Sequence, residues 1–365
     1  MILSKYPSVV QQEILYHMEL SDLFLLSFVS KNMKKLIKSS QMGRFRMMDS
    51  IEYDSDGIEQ PWIHAFYRHK SFLQMNTFES EDAKYEYFQL NVSGKTINFR
   101  ISDREYILPV AVFDLCDIEV VIKSIHSYLI DFFGESVQYN WKAEDTEKES
   151  EELFIPYIPK LNNVSFSINL FLEDEFAGMK KLENFFASNP VFKCIDITVM
   201  TTTGPFNPES KFYQAESIRT EQEELSCPDI LRHFQGRQAT VTCEKGELFD
   251  LIVLVNRWKS GEAFQKMEYL EFRKLSGVFL PNQNKVLNEI AAKHIDPTKK
   301  PPTHTLPKVY DGYCSPYLSN TYPIVSHTYV VRESDNRVAS VQIEQNTLRF
   351  GVWDKTEEEF LRMMD

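Results

Sequence analysis

The run from Leu3 to Ser40, LSKYPSVVQQEILYHMELSDLFLLSFVSKNMKKLIKSS, constrains this chain more than any other part. It holds more apolar surface than three short helices can bury on one another. Pro7 suits a first helical turn, where its lack of an N–H leaves no bond unmade, and Val10, Ile14, Leu15 and Met18 follow at helical spacing. Ser21 and Asp22 open a second helix through Leu23, Phe24, Leu25, Leu26, Phe28 and Val29, apolar nearly all round. A third, about Lys31 to Lys38, puts Met33, Leu36 and Ile37 on one side and leaves Lys31, Lys34, Lys35 and Lys38 to face solvent. Something must cover the second helix. Either the rest of the chain supplies a groove, or a separate protein does.

The remainder is large enough to supply a core, since 365 residues with 43% hydrophobic and 13% aromatic content need neither disulfides nor metal to fold. The formal net charge is -13, yet Met1 to Ser50 holds seven Lys or Arg against four Asp or Glu. The acidic excess therefore lies downstream, which argues against nucleic acid as the main partner. Cys116, Cys194, Cys227, Cys243 and Cys314 are widely separated and form no C-x-x-C pair, as expected of a reducing compartment. Asp22 interrupts the one early apolar run, and nothing approaches the roughly 18 apolar residues that span a membrane. A soluble protein of the cytoplasm or nucleus is expected, and the Asn91 and Asn163 sequons read as chance matches.

The chain divides into residues 1–45, a connecting strand and helix region 46–152, and a C-terminal domain 153–365. Tyr85 to Val92 and Thr96 to Ile101 flank Ser93-Gly94 and predict a hairpin. Ile118 to Phe133 has helical spacing, and the acidic run Glu144 to Glu152 reads as a solvated loop, with a regulatory segment as the sharper reading. Beyond it, predicted strands at Val164–Phe171, Cys194–Val199, Ala239–Cys243 and Tyr269–Phe272 alternate with helices at Glu175–Ser188 and Glu247–Lys259. Trp258 and Trp353 read as core anchors. Units that cannot bury their faces alone suggest a short stack of the leucine-rich-repeat kind, without a strict consensus. The fold class is α/β: an N-terminal three-helix unit, then an irregular leucine-rich-repeat-like domain.

Two resemblances attach to these residues. Leu3, Pro7, Ile14, Leu15, Asp22, Leu23, Leu26, Ser30 and Lys31 together resemble an F-box, with Tyr6 where Leu commonly precedes the Pro and Met33 where Trp is common. Leu251-x-x-Leu254-x-Asn256-x-Trp258-x-x-Gly261 followed by Met267-Glu268-Tyr269-Leu270 is similar to the type 2 F-box-associated domain of nematode F-box proteins. Arg332 to Val341 and Phe350-x-Val352-Trp353 are similar to its closing hairpin.

What the resemblance implies is a non-catalytic substrate-recognition subunit of an SCF-type cullin-RING ubiquitin ligase. The F-box would bind a Skp-type adaptor through Leu3, Pro7, Val10, Ile14, Leu15, Leu23 and Leu26, and the C-terminal domain would hold a target protein. The residues themselves point away from chemistry: there is no H-E-x-x-H, G-x-S-x-G, P-loop or G-x-G-x-x-G, and Gly is only 12 of 365 residues. His17, His294 and His304 have no nucleophile motif beside them. No cofactor or metal is expected. The alternatives are a repeat-like binding scaffold not coupled to ubiquitination, and an enzyme whose site is assembled from distant residues.

Overall fold

The computed structural model describes residues 5–48, 50–56, 62–65, 70–77, 85–102, 108–134, 137–144, 161, 164–172, 179–199, 205–222, 227–243, 248–275, 283–307, 309 and 321–364. Leu3, the acidic stretch 145–152 and the predicted helix start at 175–178 lie outside them. The described residues divide into two compact units, one holding residues up to 144, the other holding 166 onward.

The first unit opens with α1 (Ser8–His17), α2 (Leu20–Leu26), α3 (Lys31–Ser40) and α4 (Met42–Arg46). Ser30 caps α3 by accepting the Met33 N–H at 3.1 Å, which explains the break after α2. Helix α2 begins a residue earlier than expected, at Leu20, so Ser21 and Asp22 sit in its first turn. There follow β1 (Ser50–Asp56), β2 (Trp62–Ala65), β3 (Lys70–Thr77), β4 (Phe88–Val92), β5 (Lys95–Ile101), β6 (Pro109–Phe113), α5 (Ile118–Phe133) and β7 (Gln138–Glu144). The strands form a mixed sheet in the order β7-β1-β2-β3-β6-β5-β4, parallel only between β1 and β7 and between β3 and β6.

Strands β4 and β5 make the predicted hairpin, turning at Ser93 (φ 50°) and Gly94 (φ 95°), where the Asn91 side chain accepts the Gly94 N–H at 3.0 Å. Helix α5 packs on the sheet through its buried stripe Val121, Ile122, Ile125, Leu129 and Phe132. On the facing strands, Trp141 stacks on Tyr53, the Tyr53 hydroxyl meets His126 Nδ1 at 2.7 Å, and the Tyr139 hydroxyl donates to the Leu129 carbonyl at 3.1 Å. Burial pushes the Tyr53 and Tyr139 hydroxyls well above the ordinary phenol range.

The second unit takes in β8 (Val164–Leu172) from Phe166 on, then α6 (Met179–Ser188), β9 (Cys194–Val199), β10 (Ser217–Gln222), α7 (Cys227–His233), β11 (Gln238–Cys243), α8 (Leu248–Ser260), β12 (Tyr269–Lys274) and α9 (Gln283–Glu289). Short strands β13 (Lys293–His294), β14 (Thr303–His304), β15 (Ile324–Val325) and β16 (Thr328–Val331) lead to the hairpin β17 (Arg337–Glu344) and β18 (Thr347–Thr356), then α10 (Glu357–Arg362).

Strands β8 to β12 are parallel and stand in chain order, and β18, β17, β16 and β13 continue the sheet antiparallel. Register aligns Ile195, Ile218, Ala239, Leu270 and Phe350 into one apolar row. That row faces the helices: the Trp258 ring of α8 meets Phe350 edge-on at 5.1 Å. Trp258 is fully buried, as a core anchor should be. Trp353 is half-buried, its indole N–H donating to Ser340 Oγ at 2.9 Å. Among the described residues, no helix is long and apolar enough to cross a membrane, and Cys116 and Cys243 are free thiols.

Candidate functional site

Helix α1 is apolar on more than one side. Leu15 is fully buried against the unit and Ile14 and Met18 are half-buried, while Val9 (73% exposed), Val10, Tyr6 and Tyr16 are exposed. Val9 and Tyr16 lie seven residues apart, two turns along one face, and Val10 and Ile14 lie four apart on another. Val29, just past α2, is 69% exposed. Arg44 closes the far end of α1 by donating from Nη1 to the Met18 carbonyl at 2.8 Å.

The cover that α2 requires comes from the unit itself. Leu20, Leu23 and Phe24 are buried, and the Phe24 ring packs edge-on against Phe72 of β3 and Tyr128 of α5, with centroids 6.1 and 5.8 Å away. Phe28 stacks on Tyr128 at 4.2 Å, and Phe45 of α4 meets Phe133 at 4.8 Å.

Helix α3 adds charge to this seam. Lys34, expected in solvent, instead sets its ammonium 3.5 Å from the centre of the Tyr128 ring and 2.6 Å from the Asp131 carboxylate. Lys38 donates to the carbonyl and the carboxylate of the same Asp131. The reason is position: α3 packs on α5, whose C-terminal turn presents uncapped carbonyls that attract cations. The Lys34 hydrogen bond, then that of Lys38, holds the Asp131 carboxyl below the usual carboxylate range. Burial raises the Tyr128 hydroxyl to about 12.

The residues expected to dock a partner are therefore divided. Pro7 and Val10 are exposed, Ile14 and Leu26 are half-buried, Leu15 and Leu23 are fully buried, and Leu3 lies outside the described residues. Leu15 and Leu23 support the helices from beneath and offer a partner no surface. Sequence periodicity missed Val9 and Tyr16, which fall off the buried stripe, although two large apolar residues on the same helix as the polar Gln12 and Glu13 were a readable signal. Among the described residues no group of three or more His, Cys, Asp or Glu is placed to hold a metal ion.

Three helices of this order, capped at Ser30 and leaving apolar side chains outward, decide the matter together with one comparison. Residues 7–45 are an F-box domain. F-box domains bind Skp-type adaptors in SCF complexes, and F-box proteins are typically non-catalytic adaptors of ubiquitin ligases. No curated protein and no solved structure matches the chain. The F-box here ends within α4 and is fastened to α5 and β3, so it is one wall of the first unit's core as well as a surface.

Proposed function

We propose that this chain is the substrate-recognition subunit of an SCF-type cullin-RING ubiquitin ligase, with the F-box on the adaptor and the region from residue 153 on a target protein. The observation that carries this reading is the F-box domain at residues 7–45 with Val9, Val10, Tyr16 and Val29 left exposed on its helices. Contiguous exposed apolar surface on a soluble domain marks a partner site. The adaptor face is Pro7, Val10, Ile14 and Leu26 of the residues read from sequence, with Val9, Tyr16 and Val29 added. Intracellular placement follows from the partner.

No covalent step falls to this chain. It positions: holding a target beside the ubiquitin-loaded enzyme raises the effective concentration of target lysines, and a firmly seated F-box keeps that distance fixed. For the second unit we propose a leucine-rich-repeat-like stack related to the type 2 F-box-associated domain. Parallel strands in chain order, three of them led into by helices, support it.

The alternative is a repeat-like scaffold that never meets an adaptor. It draws on the cover that Phe72 and Tyr128 already give Phe24. Co-expression with a Skp-type adaptor separates the two. Co-elution that an Ile14→Asp substitution abolishes, with the chain still folded, supports the ligase subunit; a native chain that elutes alone supports the scaffold.

A further inference from the structure

On the face of the second unit's sheet opposite the helices, register aligns Asp196, Arg219, Thr240, Glu271, Arg349 and Gln342 into a polar row. Beside it runs a second row, Glu221, Thr242 and Arg273. Part of this face is already occupied by the chain itself. Strands β14 and β15 pair with each other and pack over β18, with His304 Nε2 donating to the Val352 carbonyl at 2.9 Å. The guanidinium of Arg349 lies 5.3 Å from the centre of the Tyr322 ring. Gln238 holds the crossing backbone with both ends of its amide: Nε2 donates to the Pro307 carbonyl at 2.8 Å and Oε1 accepts the Val309 N–H at 3.2 Å. Beneath this flap Glu271, 1% exposed, accepts from Tyr269 at 2.9 Å, Arg273 at 2.9 Å and Arg349 at 3.1 Å.

The neighbouring columns keep exposed side chains. The Arg219 side chain is 63% exposed and meets Asp196 only at 3.7 Å; Glu221 is exposed, and the Arg273 side chain keeps an exposed edge beyond its bond to Glu271.

We propose that these columns, through the exposed side chains of Arg219, Glu221 and Arg273 beside Asp196 and Thr242, hold an extended segment of the target protein that carries an aromatic side chain. The inference rests on the substrate-receptor reading above. The flap supplies the pattern: an extended backbone gripped by a side-chain amide, and an aromatic ring laid on a guanidinium. Arg219 and Arg273 stand two strands and two residues apart, about 12 Å, and offer the same planar cation as Arg349. Signs alternate along the two rows, so a segment of one strong charge finds no net attraction, whereas a ring over a partly desolvated guanidinium gains at either site.

Random linear peptides displayed on phage and selected on the full chain alone test this, independently of any adaptor. The expected result is enrichment of aromatic residues among the binders. Synthetic copies of the binders should lose about tenfold in affinity with Arg219→Ala or Arg273→Ala, and lose affinity with the Lys substitutions too, because an ammonium lacks the plane. Thermal unfolding of each variant checks the fold. No enrichment, binders without aromatic residues, or equal affinity for native and folded Arg variants would overturn the proposal. Failure to bind an adaptor would instead strike the ligase reading.

Discussion

The hydroxyls of Ser27 and Tyr128 lie 2.6 Å apart, and the direction of the bond between them is fixed. Ser27 spends its single proton on the Phe24 carbonyl, so Tyr128 is the donor. One bond thus ties the end of α2 to the middle of α5, under the Phe28 ring and beside Lys34.

Tyr128→Phe removes only that donor and should cost about 1 kcal/mol in urea unfolding. Tyr128→Ala also removes the ring packed on Phe24 and Phe28, and should cost about 3–5 kcal/mol. Equal losses for the two variants would mean that the ring contributes no packing.

Asp131 makes the seam sensitive to acid. Its folded-state carboxyl titrates below the ordinary range because Lys34 and Lys38 hold the charged form. Its contribution is therefore complete above about pH 4 and is lost as pH falls through the lower folded value. Asp131→Asn should remove this part of the acid dependence, seen by comparing the unfolding midpoints of native and variant chains between neutral and acid pH. An unchanged acid profile would show that the pairs are too solvated to matter, as exposed pairs often are.

His304 responds in a higher pH window. It is buried, its Nε2 proton lies on the Val352 carbonyl, and burial lowers its tendency to gain a second proton, the Val352 bond and Glu268 only partly opposing this. A lowered folded value means that the flap is most stable above about pH 6.5 and weakens as pH falls below it. Gly351→Ala should loosen the same contact at every pH, since a Cβ there would stand 2.6 Å from His304 Nδ1 and 2.8 Å from Ile324 Cδ1. The expected cost is about 1–3 kcal/mol. Amide exchange at Leu306 and Thr321, whose N–H groups bond across the flap, reads both effects.

Surface and support in the F-box separate by substitution. Leu15→Ala and Leu23→Ala should each cost about 2–5 kcal/mol of stability, because both side chains are fully buried. Val10→Asp should change stability by less than about 0.5 kcal/mol, because Val10 is exposed. A large destabilisation by Val10→Asp would mean that α1 buries that face.

Much of this was legible in the residues. Helix α5 shows its full extent in the spacing of Val121, Ile125, Leu129 and Phe132, and the β4–β5 hairpin in Ser93-Gly94. Strand β10 left no such mark: Ser-Ile-Arg-Thr-Glu-Gln carries one large apolar residue, because Thr220 fills the second inward position and the other face is polar. Strands β1 and β7 hide for a similar reason, since Glu52 and Asn140 lie buried between their apolar neighbours. Periodicity also cannot tell what covers an apolar helix. It showed that α2 needed a neighbour; only the fold assigns Phe72 and Tyr128 to that task and leaves Val9, Val10 and Tyr16 uncovered.

The central claim is that the outward residues of α1 dock an adaptor while the inward ones hold the unit together. Titration of the purified full chain with a Skp-type adaptor by calorimetry, repeated with a Val9→Asp, Val10→Asp double variant, tests it most directly. The account predicts saturable one-to-one binding by the native chain and its loss in the double variant at an unchanged Tm. Absence of binding by the folded native chain, or undiminished binding by the double variant, would contradict it.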